Sequence, residues 1–375
     1  MRILFVSDLF WPLIGGIEVW SARVVTGMVA RGHEVRVVAS SDAELPEQDT
    51  LEGVRIDRLG FRAAVEERRL DRFGDALAGM KRIKREFAPD VVHLGTLGWS
   101  TMFHLLSRDA SPAPWILTLT QQRLASQTSA GDTVLSRALD SADWVSSVSR
   151  AVLDQAIELS PSVARRSSVD YWGMPAPLES PQVSFDPPRV LCVGRLVPAK
   201  GFDLAIEALP ALKRRHAGLT LAIAGDGPER ARLECLARDA GVEDSVCFEG
   251  WISPDRVCSR MAEATVVVLP SRQEGLPVVA IEAAWSGRPV VAADVSGMAE
   301  VVAPGKTGLL VPAGDGDALA RAIDEIVSDR ELARRMGIEA RRLATERFSL
   351  ENMMNANESL YERLRSEVES SSAGH

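Results

Sequence analysis

The chain has 375 residues, of which 46% are hydrophobic and 25% charged, and such values are ordinary for a soluble globular protein. This length favours two domains of about 180 residues each over one core. The formal net charge of −9 argues against a general nucleic-acid binder. No apolar run approaches the roughly 18 residues that span a bilayer. The N-terminus enters a strand at once, without the apolar core of a signal peptide, so we predict a cytoplasmic protein.

Strands and helices alternate along the first half, which predicts a parallel sheet flanked by helices. Helices are expected at residues 17–30 and 73–86. Strands are expected at residues 3–7, 35–39, 91–94, 115–119 and 144–148.

A proline-rich stretch separates the two halves, with prolines at 175, 177, 181, 187 and 188. It cannot form a regular element, so we interpret it as the interdomain linker between domains at 1–178 and 188–349. Beyond it the pattern restarts, and helices are expected at 202–215 and 229–240. The expected strands are 190–193, 219–224, 246–248, 265–269, 290–293 and 309–311. The predicted fold class is α/β, with two Rossmann-like domains facing across a cleft.

The cysteines do not form a recognisable metal or disulfide pattern. Cys192, Cys235, Cys247 and Cys258 all lie in the second half without a C-x-x-C spacing. Free thiols are therefore favoured, and no metal site is predicted.

Paired glycines follow the first strand. Gly15 and Gly16 open a helix, and glycine allows a phosphate or sugar to approach the backbone closely. The G-x-G-x-x-G fingerprint of nicotinamide binding is absent, and a plain turn would also use glycine.

The first strand of the second half ends in a loop with two cations. Arg195 is a planar donor and Lys200 a compact ammonium five residues later, so both can reach one pyrophosphate. Two charge-assisted hydrogen bonds of about 1.5–3 kcal/mol each would help to stabilise a departing nucleoside diphosphate. Two solvated charges are the alternative.

Two further strand ends in the second half carry weaker signals. At the end of strand 246–248, the backbone near Trp251 and Ile252 could pair with a nucleobase edge, unless Trp251 is buried under a loop. Residues 225–228, Gly-Asp-Gly-Pro, are interpreted as a structural turn.

The loop after strand 265–269 is the most informative segment. Glu274 and Glu282 bracket a turn that contains Gly275, Leu276 and Pro277. Pro277 suits a first helical position, and the amides of residues 275, 276 and 278 would then face an anion. A phosphate with hydroxyl-rich rings at both ends, as in a nucleotide sugar, fits this layout. Alternatively, Glu274 complements the helix dipole and Glu282 is merely solvated.

Together these motifs resemble the retaining nucleotide-sugar glycosyltransferases of family four, which have the GT-B fold. The resemblance covers nearly the whole chain. It is carried by Gly194-Arg195 with Lys200-Gly201, by Gly225-Asp226-Gly227-Pro228, by Pro270-Ser271 and by Glu274-Gly-Leu-Pro with Glu282.

The resemblance implies a role for each matching residue. Arg195 and Lys200 would hold the donor diphosphate, and Glu274 with the backbone of residues 275–277 would hold donor-sugar hydroxyls. Glu282 would bind the ribose, Trp251 and Ile252 the base, and Gly16 the diphosphate or acceptor. Arg195, Lys200 and Glu274 are thus the expected catalytic residues. The helix at about 350–367 would pack back on the first domain, which is the acceptor side.

The family's chemistry is a front-face substitution without metal or cofactor, in which a nucleoside diphosphate sugar is the co-substrate and configuration is retained. We therefore predict a hexosyltransferase of bacterial glycan biosynthesis that acts on a sugar, a lipid-linked sugar or a natural product. An epimerase of the same fold is one alternative, but it would need a pair of carboxylate or His bases across the cleft, and no such pair is identified. A non-catalytic sugar-nucleotide-binding subunit is another, against which Arg195, Lys200 and Glu274 are all present.

The chain departs from the family pattern at Thr120, where many members carry a donor-contacting His. A donor without a 6-hydroxyl, such as a deoxysugar, is one hypothesis, and a clear preference for hexose over 6-deoxyhexose donors would contradict it. His93 lies on a strand and is interpreted as a core histidine.

Two acceptor-side hypotheses remain. Trp11, Trp99 and Trp172, with Gly15 and Thr120 nearby, could form an aromatic platform for an acceptor ring, although ordinary packing is the alternative. Residues 55–86 hold ten basic and six acidic side chains, including Lys81, Arg82, Lys84 and Arg85. Such a helix could contact anionic lipid at the inner membrane face, or simply be solvated.

Overall fold

The computed structural model describes residues 1–13, 15–41, 44–120, 133–176 and 185–373, with side chains described to residue 370. The chain divides into two compact units. The first comprises Met1–Gly173 with Glu351–His375, and the second is Met174–Leu350. Of the predicted linker, Pro177 and Pro181 lie outside the described residues, while prolines 175, 187 and 188 belong to neither a helix nor a strand.

The first unit contains an eight-stranded sheet. Its strands are β1 (Arg2–Ser7), β2 (Glu34–Ser40), β3 (Gln48–Leu51), β4 (Val54–Leu59), β5 (Val91–Leu94), β6 (Trp115–Leu119), β7 (Trp144–Ser147) and β8 (Ser167–Val169). They are ordered β3-β4-β2-β1-β5-β6-β7-β8, and only the β3–β4 pair is antiparallel. All five predicted strands are confirmed. Their apolar runs are buried on both faces, whereas the polar β3 and the short β8 lack such a signal.

Seven helices among the described residues belong to this unit. They are α1 (Gly16–Ala30), α2 (Phe61–Glu66), α3 (Leu70–Phe87), α4 (Trp99–Leu106), α5 (Val134–Ser141), α6 (Arg150–Leu159) and, from the chain's end, α14 (Leu350–Ala373). The core between α2–α6 and the sheet includes the paired rings of Phe61 and Phe103 at 4.8 Å.

The last helix packs on the first unit through its polar residues as well as its apolar ones. Arg31, at the end of α1, donates to Glu351 at 2.8 Å and also binds Glu358. The fully buried Tyr361 hydroxyl lies 2.6 Å from Nδ1 of His93 on β5. These contacts attach a distant segment of sequence to the first sheet.

The second unit is a six-stranded parallel sheet with helices on its faces. Its strands are β9 (Arg189–Val193), β10 (Thr220–Ala224), β11 (Val246–Gly250), β12 (Val266–Leu269), β13 (Val290–Ala293) and β14 (Gly308–Val311). Its helices are α7 (Phe202–Arg215), α8 (Arg230–Asp239), α9 (Pro254–Glu263), α10 (Val278–Trp285), α11 (Met298–Val301), α12 (Gly316–Ser328) and α13 (Arg330–Arg347). The strand order is β11-β10-β9-β12-β13-β14.

Each sheet has a point where the strand order reverses. In the first unit, β1 lies between β2 and β5, and in the second, β9 lies between β10 and β12. The loops after such neighbouring strands diverge and leave a crevice at the carboxyl ends, which is where ligands of open α/β sheets bind. A ligand site is therefore expected at each of the two reversal points.

Among the residues that the structure describes, no helix combines the length and apolarity needed to cross a membrane.

Candidate functional site

The loop after β9 presents the two predicted cations. Arg195 is exposed, and its guanidinium makes no hydrogen bond or ion pair with any residue that the structure describes. Lys200 ends a short 3-10 turn that Gly201 terminates at φ 65°. Its ammonium donates to Oε1 of Glu274 at 2.6 Å. One cation of the loop is thus open to solvent and the other is held by a carboxylate.

The neighbouring Gly225-Asp226-Gly227 turn fixes this loop from one side. The N–H of Leu196 donates to the Asp226 carbonyl at 2.9 Å. Gly225 has a φ of 142°, and a Cβ there would lie 1.9 Å from the Gly194 carbonyl oxygen. Only glycine allows this approach, so the interpretation of these residues as a structural turn is confirmed.

The loop after β12 supports the loop that carries Arg195 and Lys200 (the cation loop) from the other side. The Arg272 N–H donates to the Ala199 carbonyl at 2.8 Å, and the Arg272 guanidinium binds Asp203 at 2.8 and 3.0 Å. Burial opposes the ionisation of Asp203, but its hydrogen bonds with Arg272 hold its pKa below the ordinary value. Arg272 is therefore a structural cross-link between the two loops.

Glu274 is anchored through one of its two carboxylate oxygens. Oε1 accepts from Lys200 at 2.6 Å and from the Ser271 hydroxyl at 2.7 Å. Oε2 accepts no hydrogen bond within the described part of the chain. The carboxylate is therefore oriented and keeps one oxygen available for a donor such as a sugar hydroxyl.

The start of α10 exposes backbone donors beside Glu274. The N–H groups of Gly275, Leu276 and Val279 donate to no residue within the described ranges, whereas Val278 donates to the Leu276 carbonyl at 3.0 Å. Pro277 is the N-cap, one residue before the helix, so its predicted place at the first helical position and the predicted free amide of residue 278 are corrected. Unpaired N–H groups at a helix start carry partial positive charge and suit an anion.

Three further predicted residues belong to α10 and to the loop after β11. Glu282 is half-buried in the second turn of α10. Trp251 follows β11 and is 64% exposed, which excludes the alternative of a Trp buried under a loop. Ile252 beside it is half-buried. The exposed indole has a face available for stacking.

In the second unit, Arg195, Lys200 and Glu274 thus lie in the loops that follow β9 and β12, at the reversal point of the sheet. Arg195, Lys200 and the unpaired N–H groups supply positive charge, and Glu274 supplies a hydrogen-bond acceptor. Chemically, this arrangement can hold a diphosphate and a neighbouring polyol. Sequence analysis missed that Ser271 and Lys200 share one oxygen of Glu274, because the sequence does not reveal which oxygen a distant side chain contacts.

In the first unit, the paired glycines begin α1. Gly15 is the N-cap and Gly16 the first helical residue. A Cβ on Gly15 would lie 2.3 Å from Oε2 of Glu18, so the glycine makes room for that carboxylate. Glu18 is the third helical residue, the position from which a Glu side chain can reach back to the N-cap.

The two strand residues of the first unit have different environments. Thr120 is half-buried directly after β6. His93 is buried between the Tyr361 hydroxyl at 2.6 Å and the Thr118 hydroxyl at 2.7 Å. Burial lowers the pKa of His93 to about 3. The interpretation of His93 as a core histidine is confirmed.

The aromatic platform is not assembled as predicted. Trp172 is only 7% exposed, and its ring stacks on Trp20 with 5.6 Å between centroids, so its inclusion in an acceptor platform is corrected to ordinary packing. Trp99, by contrast, is 40% exposed and lines a cavity of about 490 Å³. The cavity is also lined by Asp8, a half-buried residue directly after β1 for which the sequence predicted no role.

The basic helix α3 is not uniformly solvent-facing. Lys84 is buried and donates to the Ser107 hydroxyl at 2.9 Å and to two carbonyls, and burial lowers its pKa to about 7. Lys81 pairs with Asp109 at 2.8 Å and Arg82 with Glu86 at 3.1 Å. The prediction that Lys84 faces lipid headgroups is therefore corrected, because it instead binds the end of α4.

Comparison with known families matches both halves of the chain. Residues 15–172 match the model described as "Glycosyl transferase 4-like domain", and residues 179–343 match "Glycosyl transferases group 1".

Named relatives extend over nearly the whole length. A GDP-mannose-dependent alpha-(1-6)-phosphatidylinositol monomannoside mannosyltransferase of Mycolicibacterium smegmatis is 30% identical over 371 residues, covering 92% of this chain and 94% of the relative. A 2-deoxystreptamine N-acetyl-D-glucosaminyltransferase of Streptomyces fradiae is 30% identical over 389 residues, covering 89% and 90%. Among solved structures, a sucrose-phosphate synthase of Thermosynechococcus elongatus superposes with a TM-score of 0.81 at 26% identity, covering 97% and 99%.

These matches agree with the two parallel-sheet units and with the loops that follow β9 and β12. The chain belongs to the GT-B glycosyltransferases of the family four type, which use nucleotide sugars as donors.

Proposed function

We propose that this chain is a retaining, metal-independent hexosyltransferase. It moves a sugar from a nucleoside diphosphate sugar to a hydroxyl of a sugar, a lipid-linked sugar or a natural product. The observation that carries the proposal is the grouping of Arg195, Lys200, unpaired N–H groups and Glu274 at one end of the second sheet. The relatives' names, one acting on a phosphatidylinositol mannoside and one on 2-deoxystreptamine, support this range of acceptors.

Donor binding follows from the charges of this group. The diphosphate lies against Arg195, Lys200 and the N–H groups at the start of α10, because each can donate to a phosphate oxygen. Glu274 accepts from hydroxyls of the transferred sugar through its available oxygen. Glu282 binds the ribose, and the exposed face of Trp251, beside Ile252, stacks on the base.

Chemistry then depends on stabilising the leaving group. The bond between the anomeric carbon and the β-phosphate oxygen breaks, while the acceptor oxygen forms its bond on the same face. The acceptor's proton passes to the departing phosphate oxygen, so no protein base is needed. Negative charge grows on the diphosphate in the transition state, and Lys200 and Arg195 stabilise that charge in place of a metal ion.

The Lys200–Glu274 pair joins the two halves of the proposed donor site. The carboxylate neutralises the ammonium at 2.6 Å. A bound diphosphate offers Lys200 a stronger anion and leaves Glu274 anchored by Ser271. Diphosphate binding thereby makes Glu274 a better acceptor for the sugar.

A screen of nucleoside diphosphates by thermal shift identifies the base, and the matching donor panel is then assayed for hydrolysis and transfer. We expect stabilisation by one diphosphate, turnover that survives chelation by EDTA, and a product with the donor's anomeric configuration by NMR. Inversion of configuration, or activity abolished by EDTA and restored by a divalent ion, would contradict the proposal.

A further inference from the structure

The cavity beside Trp99 lies at the reversal point of the first sheet. It is formed by the loops that follow β1, β2 and β5, together with α4 and the start of α5. Its volume of about 490 Å³ is in the range of small-molecule sites. Arg195, Lys200 and Glu274 have the equivalent position in the second sheet, but the residues that line this cavity differ from them in chemistry.

Most of the walls are apolar. Trp99, Leu9 and Val134 are 40%, 48% and 38% exposed at the cavity, although large apolar side chains are usually covered. The apolar side chains that line the cavity include Leu9, Leu13, Leu97, Trp99, Met102 and Val134. Single exposed apolar residues are common, but several around one cavity indicate a binding surface.

Among the described residues that line the cavity, Asp8 is the only acid. Its Oδ1 accepts from the Ser100 N–H at 2.8 Å, at the start of α4. Its Oδ2 lies so close to Gly98 that a Cβ there would be 1.5 Å away. Burial raises the pKa of Asp8, while hydrogen bonds from Ser100 and Trp99 oppose the rise. The carboxylate is thus fixed at the apolar wall.

This arrangement disfavours an anionic ligand. A free helix start would attract phosphate, but here the protein's own carboxylate already occupies the start of α4. Arg62, the only base among the described lining residues, pairs with Glu66 at 3.0 Å. A phosphate placed beside Asp8 would face like charge in a partly desolvated cavity.

We propose that this cavity binds the non-anionic, amphipathic portion of the acceptor. An apolar ring or chain fills the space between Trp99, Met102 and Val134, and a hydroxyl or amino group donates to Asp8. The proposal rests on the glycosyl-transfer function above. It narrows the acceptors to molecules with an apolar section that enters the cavity and carries no phosphate beside Asp8.

The test measures binding to the full chain without donor, so it does not depend on turnover. The probes are 4-nitrophenyl α-D-glucopyranoside, methyl α-D-glucopyranoside and the 6-phosphate of the nitrophenyl glycoside. Because the aromatic ring is buried, we expect it to improve Kd by about tenfold or more over the methyl glycoside. We expect the phosphate to weaken binding by about tenfold. Equal binding of the nitrophenyl and methyl probes, or tighter binding of the phosphate, overturns the proposal.

Variants locate the binding to this cavity. Met102→Trp fills it from α4 and should weaken binding of the nitrophenyl probe by about tenfold or more. Leu106→Trp is the matched control, because Leu106 is 45% exposed on the same helix and does not line the cavity. Val134→Trp, at the exposed rim, repeats the test should Met102→Trp fail to fold. Wild-type affinity in a folded cavity variant overturns the proposal.

Asp8→Asn tests the charge separately. Asparagine keeps an oxygen for the Ser100 N–H but removes the negative charge, so the penalty for the 6-phosphate should shrink several-fold. An unchanged penalty overturns the role of Asp8. The two proposals fail in distinguishable ways. Probe binding without transfer from any donor contradicts the glycosyltransferase proposal alone, whereas transfer with no preference among the probes contradicts only this one.

Discussion

The reversal points of the two sheets share a topology and differ in chemistry. In both units, the strand at the reversal point is the first of its sheet in sequence, and the following loops surround a crevice. The second unit places Arg195, Lys200 and unpaired N–H groups there. The first unit places apolar side chains and the carboxylate of Asp8, which occupies its helix start. The fold therefore provides the location, and a few loop residues decide which kind of ligand is favoured.

The largest expected effect comes from removing the Lys200 ammonium of the second unit. Lys200→Ala should lower kcat by about 10²-fold or more, because the leaving diphosphate loses a charge-assisted contact that strengthens in the transition state. Donor hydrolysis and transfer are measured with the donor found by the diphosphate screen. Lys306→Ala, at an exposed lysine of the same unit, should keep wild-type rates. Near-native turnover of Lys200→Ala would remove the proposed asymmetry between the units.

The next effect concerns the turn that holds the cation loop. Gly225→Ala should lower the free energy of unfolding by about 2 kcal/mol or more, because the new Cβ would lie 1.9 Å from the Gly194 carbonyl oxygen at an unfavourable φ. Urea denaturation measures the change. Gly241→Ala is the control, since Gly241 also has positive φ but a Cβ at that position would have no atom within 4 Å among the described residues. It should cost about 1 kcal/mol from backbone strain alone, and equal losses would show that the contact with Gly194 is unimportant.

A smaller effect separates binding from chemistry at the exposed cation. Arg195→Ala should weaken binding of the nucleoside diphosphate by about tenfold, since one charge-assisted hydrogen bond is lost. Titration calorimetry with the diphosphate gives the affinity. Because the Arg195 guanidinium pairs with no described residue, its removal should leave the thermal stability of the ligand-free protein unchanged. If the affinity for the diphosphate is unaltered, the Arg195 guanidinium does not contact the diphosphate and is merely solvated.

The smallest effect probes the first unit through His93. Burial lowers the pKa of His93 to about 3, below the 6.5 of an ordinary imidazole, so the unfolded chain binds the extra proton between these values. Stability should therefore be complete above about pH 6.5 and fall as the pH decreases toward 3. His93→Gln removes this titration and should flatten the slope by about 1.4 kcal/mol per pH unit at most. Denaturant melts from pH 7 to pH 5 measure it, and parallel slopes would contradict the buried, neutral state.

The sequence was sufficient for the features that repeat along the chain. Buried parallel strands are continuous apolar runs, so β1, β2, β5, β6 and β7 were predicted, whereas the polar hairpin of β3 and β4 was not. Loops after strands gather at one edge, so the grouping of Lys200 with Glu274 could be anticipated. It required only topology.

What the sequence did not reveal depends on register and rotamer. The contact of Asp8 with the Ser100 N–H joins residues 92 apart, and no local pattern announces it. Trp172 was expected in an open loop, but the fold stacks it on Trp20. Lys84 was assigned to a charged helix face, yet the turn of α3 directs it toward the carbonyls at the end of α4. In each case, the partner's position is decided by tertiary packing.

The return of α14 to the first unit affects how the protein must be made. Tyr361 and Leu364 of α14 are buried in a unit whose core residues outside α14 all precede residue 174. A ribosome therefore synthesises the whole second unit before the N-terminal half can receive its last helix. Until then, the surface around Trp20 and His93 to which α14 binds is exposed on the nascent chain. Chaperones that recognise exposed apolar surface could bind it during this time.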